Sequence, residues 1–291
     1  MNRKNNARGD SGGLFWWRPA AWLRVTGSDA AGFLQGQFTN DLRGLKAGGS
    51  VYGLWLNHKG KVVADSFVVG GKAGEFWVGS YFSDAATIRE RLESFVVADD
   101  VTVDDATSEW RGVSVIGAAP DAPDEVFCLR GRRDAEPNCE WLFRAEHEAA
   151  VRAMLTGRVG LEAAEMERRR IAAGIPAVPA DVGPGELPNE GGLEAVAISY
   201  TKGCYLGQEV MARLKTMGRV RRKLLRVRGE GSAPAVPMEL SQQGRKIGEL
   251  RSAVNDDAGF IGLALVSLVN LHAAEPLQLA AGGAVTLSEV P

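Results

Sequence analysis

The sequence predicts an α+β region followed by a separate all-β unit. Two observations carry that reading. Between residues 51 and 80, three strand-like runs are punctuated by tight turn signals and then followed by an amphipathic helix. Beyond Arg219 the texture changes to short apolar runs divided by Gly, Pro, Ser and Asp, the pattern of a small barrel or sandwich. At 291 residues, 45% apolar and 7% aromatic, the chain is long enough for two or three packed domains.

In order along the chain, residues 1–13 are polar and Gly-rich and are expected to form a disordered tail. Trp22–Val25 reads as a strand. Ser28 is a suitable N-cap for a helix that buries Phe33 and Leu34, with Asp29 in its first turn. The amide-rich passage 35–41 follows, in which Thr39 or Asp41 could cap a short second helix through Leu42 and Leu45. Strands are expected at Val51–Leu56, Lys61–Val69 and Glu75–Ser80, an antiparallel meander joined at residues 57–60 and 70–74. Ser83–Phe95 places Ile88, Leu92 and Phe95 on one helical face. Further strands fall at Val101–Val103 and Gly112–Ile116. Residues 118–139 read as a surface loop around a strand near Val126–Leu129, and helices return at Glu146–Leu155 and Leu161–Ala173, the second ended by Gly174-Ile175-Pro176. The long irregular stretch 177–192 has the length of a functional loop. In the last unit, strands fall near Leu224–Arg228, Met238–Leu240, Lys246–Leu250, Phe260–Leu265, Leu277–Leu279 and Val285–Leu287. The domains are therefore drawn as 1–13, 14–219 and 220–291.

Several classes are excluded by what is missing. No phosphate-binding glycine loop, dinucleotide fingerprint or serine-hydrolase elbow occurs. His58, His147 and His272 lack ligand spacing and there is no C-x-x-C, so no resident metal site is expected. No apolar run is long enough to span a bilayer. Three cysteines, Cys128, Cys139 and Cys204, do not make a disulfide framework and suggest a reducing, cytoplasmic setting. The net charge of −2 hides an acid-free basic run between Arg213 and Arg228.

The densest chemistry lies in Lys202-Gly203-Cys204-Tyr205-Leu206-Gly207-Gln208-Glu209 with Arg213 four residues on. One thiol stands between glycines, beside an ammonium and ahead of a helical segment. A cation and a helix N-terminus both favour a thiolate, which makes Cys204 the candidate reactive group and Lys202 its candidate activator.

This octapeptide with Arg213 resembles the signature of the YgfZ family, folate-binding relatives of the glycine-cleavage T-protein that serve iron–sulfur protein maturation. Residues 33–41, Lys59-Gly60-Lys61, Arg170 with Gly174-Ile175-Pro176, and Glu186-Leu187-Pro188 resemble further landmarks in the same order, and Gly244, Gly248 and Ser252 resemble a C-terminal barrel. The resemblance implies two intertwined α+β domains and a β-barrel around a central tetrahydrofolate pocket, with Asp65, Asp181, Asn40 and Arg213 as folate-binding residues. Carboxylates suit the donor edge of a pterin, and cations suit its glutamate tail. The implied role is accessory, in assembling or repairing iron–sulfur clients, rather than enzymatic. A folate-dependent aminomethyl transferase is the alternative, against which stands Ala64-Asp65 where the T-protein keeps two aspartates. A third reading is a tRNA-binding module using Arg213–Arg228 in tRNA modification, although the run lacks stacking aromatics.

Overall fold

The computed structural model describes residues 12–269 and 271–288. Its first strand, β1 (Gly13–Trp17), does not pair with its neighbour in sequence. The chain runs on through β2 (Ala21–Thr26), α1 (Ala30–Gln37), β3 (Ser50–Leu56), β4 (Val62–Gly70), β5 (Phe76–Ser80), α2 (Ala85–Glu93) and β6 (Thr102–Asp105), which build one five-stranded sheet in the order β3-β4-β5-β2-β6 with its two helices. Only then does β7 (Trp110–Ile116) return to pair with β1, from Gly13 opposite Ile116 to Trp17 opposite Gly112. With β8 (Phe127–Arg130) and β9 (Asn138–Arg144) these make a second, four-stranded sheet in the order β1-β7-β9-β8. One lobe is thus threaded through the other, and the two α+β domains are intertwined.

Burial explains the ladders. β4 is covered on both faces, with Ala64 and Val68 packing toward α1 and α2, and Phe67 and Val69 toward the second sheet. The seam between the sheets is aromatic: Trp22 stacks on Trp77 at 5.9 Å and Trp110 on Phe127 at 5.6 Å. The outer face of the second sheet is closed by α3 (Glu148–Met154), through Val151 and Leu155 against Trp141 and Phe143.

From α4 (Ala163–Ala172) the chain passes through the irregular segment 173–193, the short helix α5 (Glu194–Ala197) and α6 (Gln208–Met217) into a closed six-stranded barrel. Its strands are β10 (Arg222–Gly229), β11 (Met238–Gln242), β12 (Arg245–Asp256), β13 (Gly259–Ser267), β14 (Leu277–Leu279) and β15 (Ala284–Leu287). The barrel docks on α4 through Ile171 against Ile261 and Leu263.

Four local expectations fail for identifiable reasons. Ser28 caps nothing: its hydroxyl and N–H both go to Asp100, and Asp29 occupies the N-cap position. No second helix follows Asp41, because its carboxylate accepts the Arg43 N–H at 3.0 Å and closes a local turn instead. Strands β1 and β9 were not expected. Gly13, assigned to the tail, opens β1, and residues 1–11 lie outside the described residues. β9 was hidden because polar neighbours gave the surrounding stretch the texture of a loop. Finally, Cys128 and Cys139 are joined as a disulfide across β8 and β9, although an odd cysteine count had argued against such a bond.

Candidate functional site

The motif sits where three sequence landmarks meet. Helix α1 ends at Gln37, and its terminal carbonyls, like those of any helix, lack partners within the helix. Lys202 supplies them. Its Nζ donates to the carbonyls of Gln35 (2.6 Å), Phe38 (2.6 Å) and Asn40 (2.9 Å). A cation at a helix C-terminus also meets the favourable end of the helix dipole. Burial pulls the ammonium down to about 8, while the three carbonyls favour keeping its proton. Lys202 thus has an architectural role at the end of α1.

Around it the passage 35–41 is tied to the loop before α6. The Thr39 hydroxyl donates to the Ala197 carbonyl at 2.6 Å and accepts the Leu54 N–H, while the Ser199 N–H donates to the Thr39 carbonyl. Asn40 Nδ2 donates to the Tyr52 carbonyl at 2.9 Å and also to that of Val196, so Asn40 serves the same seam. The Leu206 N–H reaches the Gly36 carbonyl at 3.3 Å. Here the clustered amides of the sequence find their use.

The third landmark is the turn 57–60. Gly207, the N-cap of α6, has φ +85 and lies so close to that turn that a Cβ would stand 3.1 Å from the Asn57 carbonyl oxygen and 3.2 Å from the Gly60 Cα. Gly60, at φ +69, is packed against Val210 of the same helix in turn. Both positions require glycine.

Between the buried anchors Lys202 and Tyr205, Cys204 is exposed and free. Tyr205 inserts its ring among Leu54, Leu56, Val178 and Met211, and burial pushes its phenol up to about 12. Gly203 adds no side chain above the thiol. Gln208 and Glu209 open α6, and Arg213 pairs with Glu209 at 2.8 Å on the exposed face of that helix.

The two predicted pocket carboxylates meet at the segment 177–181, Asp65 through Ser83 and the Val178 carbonyl and Asp181 as the last residue of the segment. Asp65 is buried and accepts hydroxyls from Tyr52 (2.9 Å), Ser80 (2.7 Å) and Ser83 (2.8 Å). Its carboxyl is raised above the usual range because burial outweighs those bonds. Ser83 also donates to the Val178 carbonyl. Asp181 is completely enclosed. One oxygen takes Arg170 at 2.6 Å and the Ala177 N–H, and the other takes Ser252 of β12 at 2.6 Å. It is a joint between α4, the long loop and the barrel, and a pterin could reach it only if that joint opened. Tyr52, Ser80 and Ser83 were not foreseen. A polar residue on a strand buried on both faces is the signal that would have pointed to them.

The basic run is divided by its own strand. Arg222 turns toward Glu190 (2.9 Å) and Glu186, and Arg228 toward Asp256, while Arg219, Arg221 and Lys223 remain exposed. Among the described residues no cluster of His, Cys, Asp and Glu could hold a metal, and no helix is long and apolar enough to cross a membrane.

Residues 6–126 match the family model described as the GCVT N-terminal domain, and residues 221–291 match that of the CAF17 C-terminal beta-barrel domain. The chain is a GCVT-like region followed by a CAF17-type barrel. It is 28% identical to the human mitochondrial iron–sulfur cluster assembly factor IBA57, over 90% of this chain and 81% of that protein. An uncharacterized protein of Haemophilus influenzae is 26% identical over 88% and 89%. The fold is that of the glycine cleavage system aminomethyltransferase T from Bartonella henselae, with a TM-score of 0.79 at 18% identity, covering 96% of this chain and 86% of that one.

Proposed function

We propose that the protein is an accessory factor in the assembly or repair of iron–sulfur proteins, working with tetrahydrofolate and the thiol of Cys204. The observation that carries the reading is the presentation of Cys204. A loop fastened by buried Lys202 on one side and buried Tyr205 on the other holds a single free thiol in solvent, at the meeting point of three separate sequence landmarks. Thiolate is a soft ligand suited to iron and sulfur. The likeness over most of their lengths to proteins named as iron–sulfur cluster assembly factors supports the same role.

Folate enters through the GCVT-like architecture, with Asp65 as the carboxylate for the pterin edge. Asp65 stands alone, since its neighbour is Ala64, and a lone carboxylate weakens an aminomethyl-transfer reading that would use a pair. The test is complementation. In cells lacking the protein, wild type should restore the activity of an iron–sulfur enzyme, and Cys204→Ser should not. Full restoration by Cys204→Ser would overturn the thiol mechanism. Calorimetry with tetrahydrofolate tests the cofactor separately, and absence of heat at millimolar ligand would remove it.

A further inference from the structure

An open cavity of about 630 Å³ lies where β4 ends at Gly70 and β5 begins, a volume within the range of small-molecule sites. Gly70 stands five residues along β4 from Asp65, roughly 17 Å of strand. Neither Asp65 nor any residue of the Cys204 loop lines this cavity. Its floor is aromatic: Trp77 and Trp110 are each 4% exposed, with ring centroids 4.9 Å apart, and Phe127 continues the wall 5.6 Å from Trp110. Trp77 gives its indole N–H to Glu75 at 3.3 Å, but the Trp110 N–H is buried and has no acceptor. A buried donor left unpaired is costly, and an oxygen brought by a ligand would relieve it.

The rim carries an excess of negative charge. Four carboxylates line the cavity, those of Glu75, Asp124, Glu125 and Glu146, against the cations Lys72 and Arg144 and the imidazole of His147. Partners from outside take one group of each sign: Arg24 holds Glu75 at 2.7 Å, and Glu109 holds Arg144 at 2.5 Å. Glu125 and Glu146 face His147 at 3.2 and 3.7 Å, while Asp124 and Lys72 have no partner among the described residues. Three carboxylates thus stand against one ammonium and one imidazole. The fold already sets a cation against this floor, since the Arg144 guanidinium lies 5.5 Å from the Trp110 ring. The Arg144 side chain is 45% exposed, so a competing cation displaces it at little cost.

We propose that this cavity binds a small organic cation, a protonated amine on a flat ring that also carries an oxygen acceptor. The ammonium meets the carboxylates of Asp124, Glu125 and Glu146, the ring lies against Trp110 and Phe127, and the oxygen accepts the Trp110 N–H. An anion on the same ring would face the three carboxylates and is selected against. The site depends neither on the thiol of Cys204 nor on folate.

Calorimetry on the full chain compares three probes. 4-(Aminomethyl)benzamide has all three features, benzylamine lacks the acceptor, and 4-carbamoylbenzoate carries an anion in place of the ammonium. Wild type should bind the first about tenfold more tightly than the anion and about threefold more tightly than benzylamine. The double variant Asp124→Asn/Glu125→Gln, altered at two exposed positions, should lose most of the preference over the anion. Trp110→Phe, which keeps a ring without the N–H, should lose only the preference over benzylamine. Failure of 4-(aminomethyl)benzamide to bind wild type at millimolar concentration overturns the proposal, and so does binding of either other probe as tightly, whether or not the variants fold. An unchanged preference over the anion in the folded double variant overturns it as well.

Discussion

The Cys204 loop and the Asp65–Asp181 region are both rich in polar groups, yet they use them in opposite ways. Around Asp65 and Asp181 every polar side chain is turned inward and spent on its neighbours: three hydroxyls on one carboxylate, and a guanidinium, an N–H and a hydroxyl on the other. In the Cys204 loop the polar bonds are also internal, through Lys202, Thr39 and Asn40, but they leave one group out. The contrast separates two reasons for a charged residue to occupy a site. A buried, fully partnered charge joins elements of the fold. A free thiol held exposed between buried anchors is the group that the proposed function uses.

Substitutions should break this contrast on the inward side first. Asp181→Ala removes the acceptor of three hydrogen bonds, from Arg170, the Ala177 N–H and Ser252, while Arg170 keeps Glu167, and should cost about 3–5 kcal/mol, read from chemical denaturation. A loss below about 1 kcal/mol would mean that the joint is looser than its distances imply. Lys202→Met keeps the stem but abandons three carbonyls at the end of α1. Hydrogen bonds to charged groups contribute roughly 1.5–3 kcal/mol each, partly offset here by desolvation, so a net loss of about 2–3 kcal/mol is expected. The same variant should be cut faster by proteases within residues 199–206. Gly207→Ala forces a Cβ at positive φ against the 57–60 turn and should cost about 1–2 kcal/mol from backbone conformation alone, measured as a lowered Tm.

The meander, the helix Ala85–Glu93 and the barrel were legible because each shows its own period or turn chemistry within a short window. The second sheet was not. Its strand β1 finds a partner about a hundred residues away, and β9 sits among residues whose polarity imitates a loop, so neither is visible to local reasoning. The motif marked the loop that joins residues 35–41, the 57–60 turn and α6, because Gly207 and Cys204 are unusual types for ordinary packing. It could not tell which way Lys202 faces, since that depends on where α1 ends in space. Asp181 was expected as a pterin-binding acid and not as a joint, because Ser252 lies 71 residues further along the chain.

The pH dependence of Asp65 sharpens the same comparison. Burial raises its folded pKa above the unfolded value of 3.8, so across the window above about 4 the folded state holds this proton more tightly than the unfolded chain does. The stability contributed by protonated Asp65 is full below the unfolded pKa and is lost as pH rises through the folded one. Relative to Asp65→Asn, which has no proton to lose, wild type should therefore become progressively less stable as pH rises from about 4 until Asp65 is ionised. The measurement is the difference in Tm between the two proteins against pH. A flat difference would mean that the three hydroxyls compensate the buried charge fully.

The smallest stability effect belongs to the residue on which the proposed function rests. Cys204 is exposed, makes no hydrogen bond among the described residues and is replaced nearly isosterically by serine, so Cys204→Ser should stay within about 0.5 kcal/mol of wild type. In the folded, unreduced protein iodoacetamide should modify one thiol per chain, at Cys204, because Cys128 and Cys139 are joined. Mass spectrometry after digestion assigns the label. Rapid labelling together with an unchanged Tm is what a placed nucleophile requires. A clear drop in Tm for Cys204→Ser, or a thiol that labels only after denaturation, would move Cys204 to the inward side of the comparison and make the loop another joint.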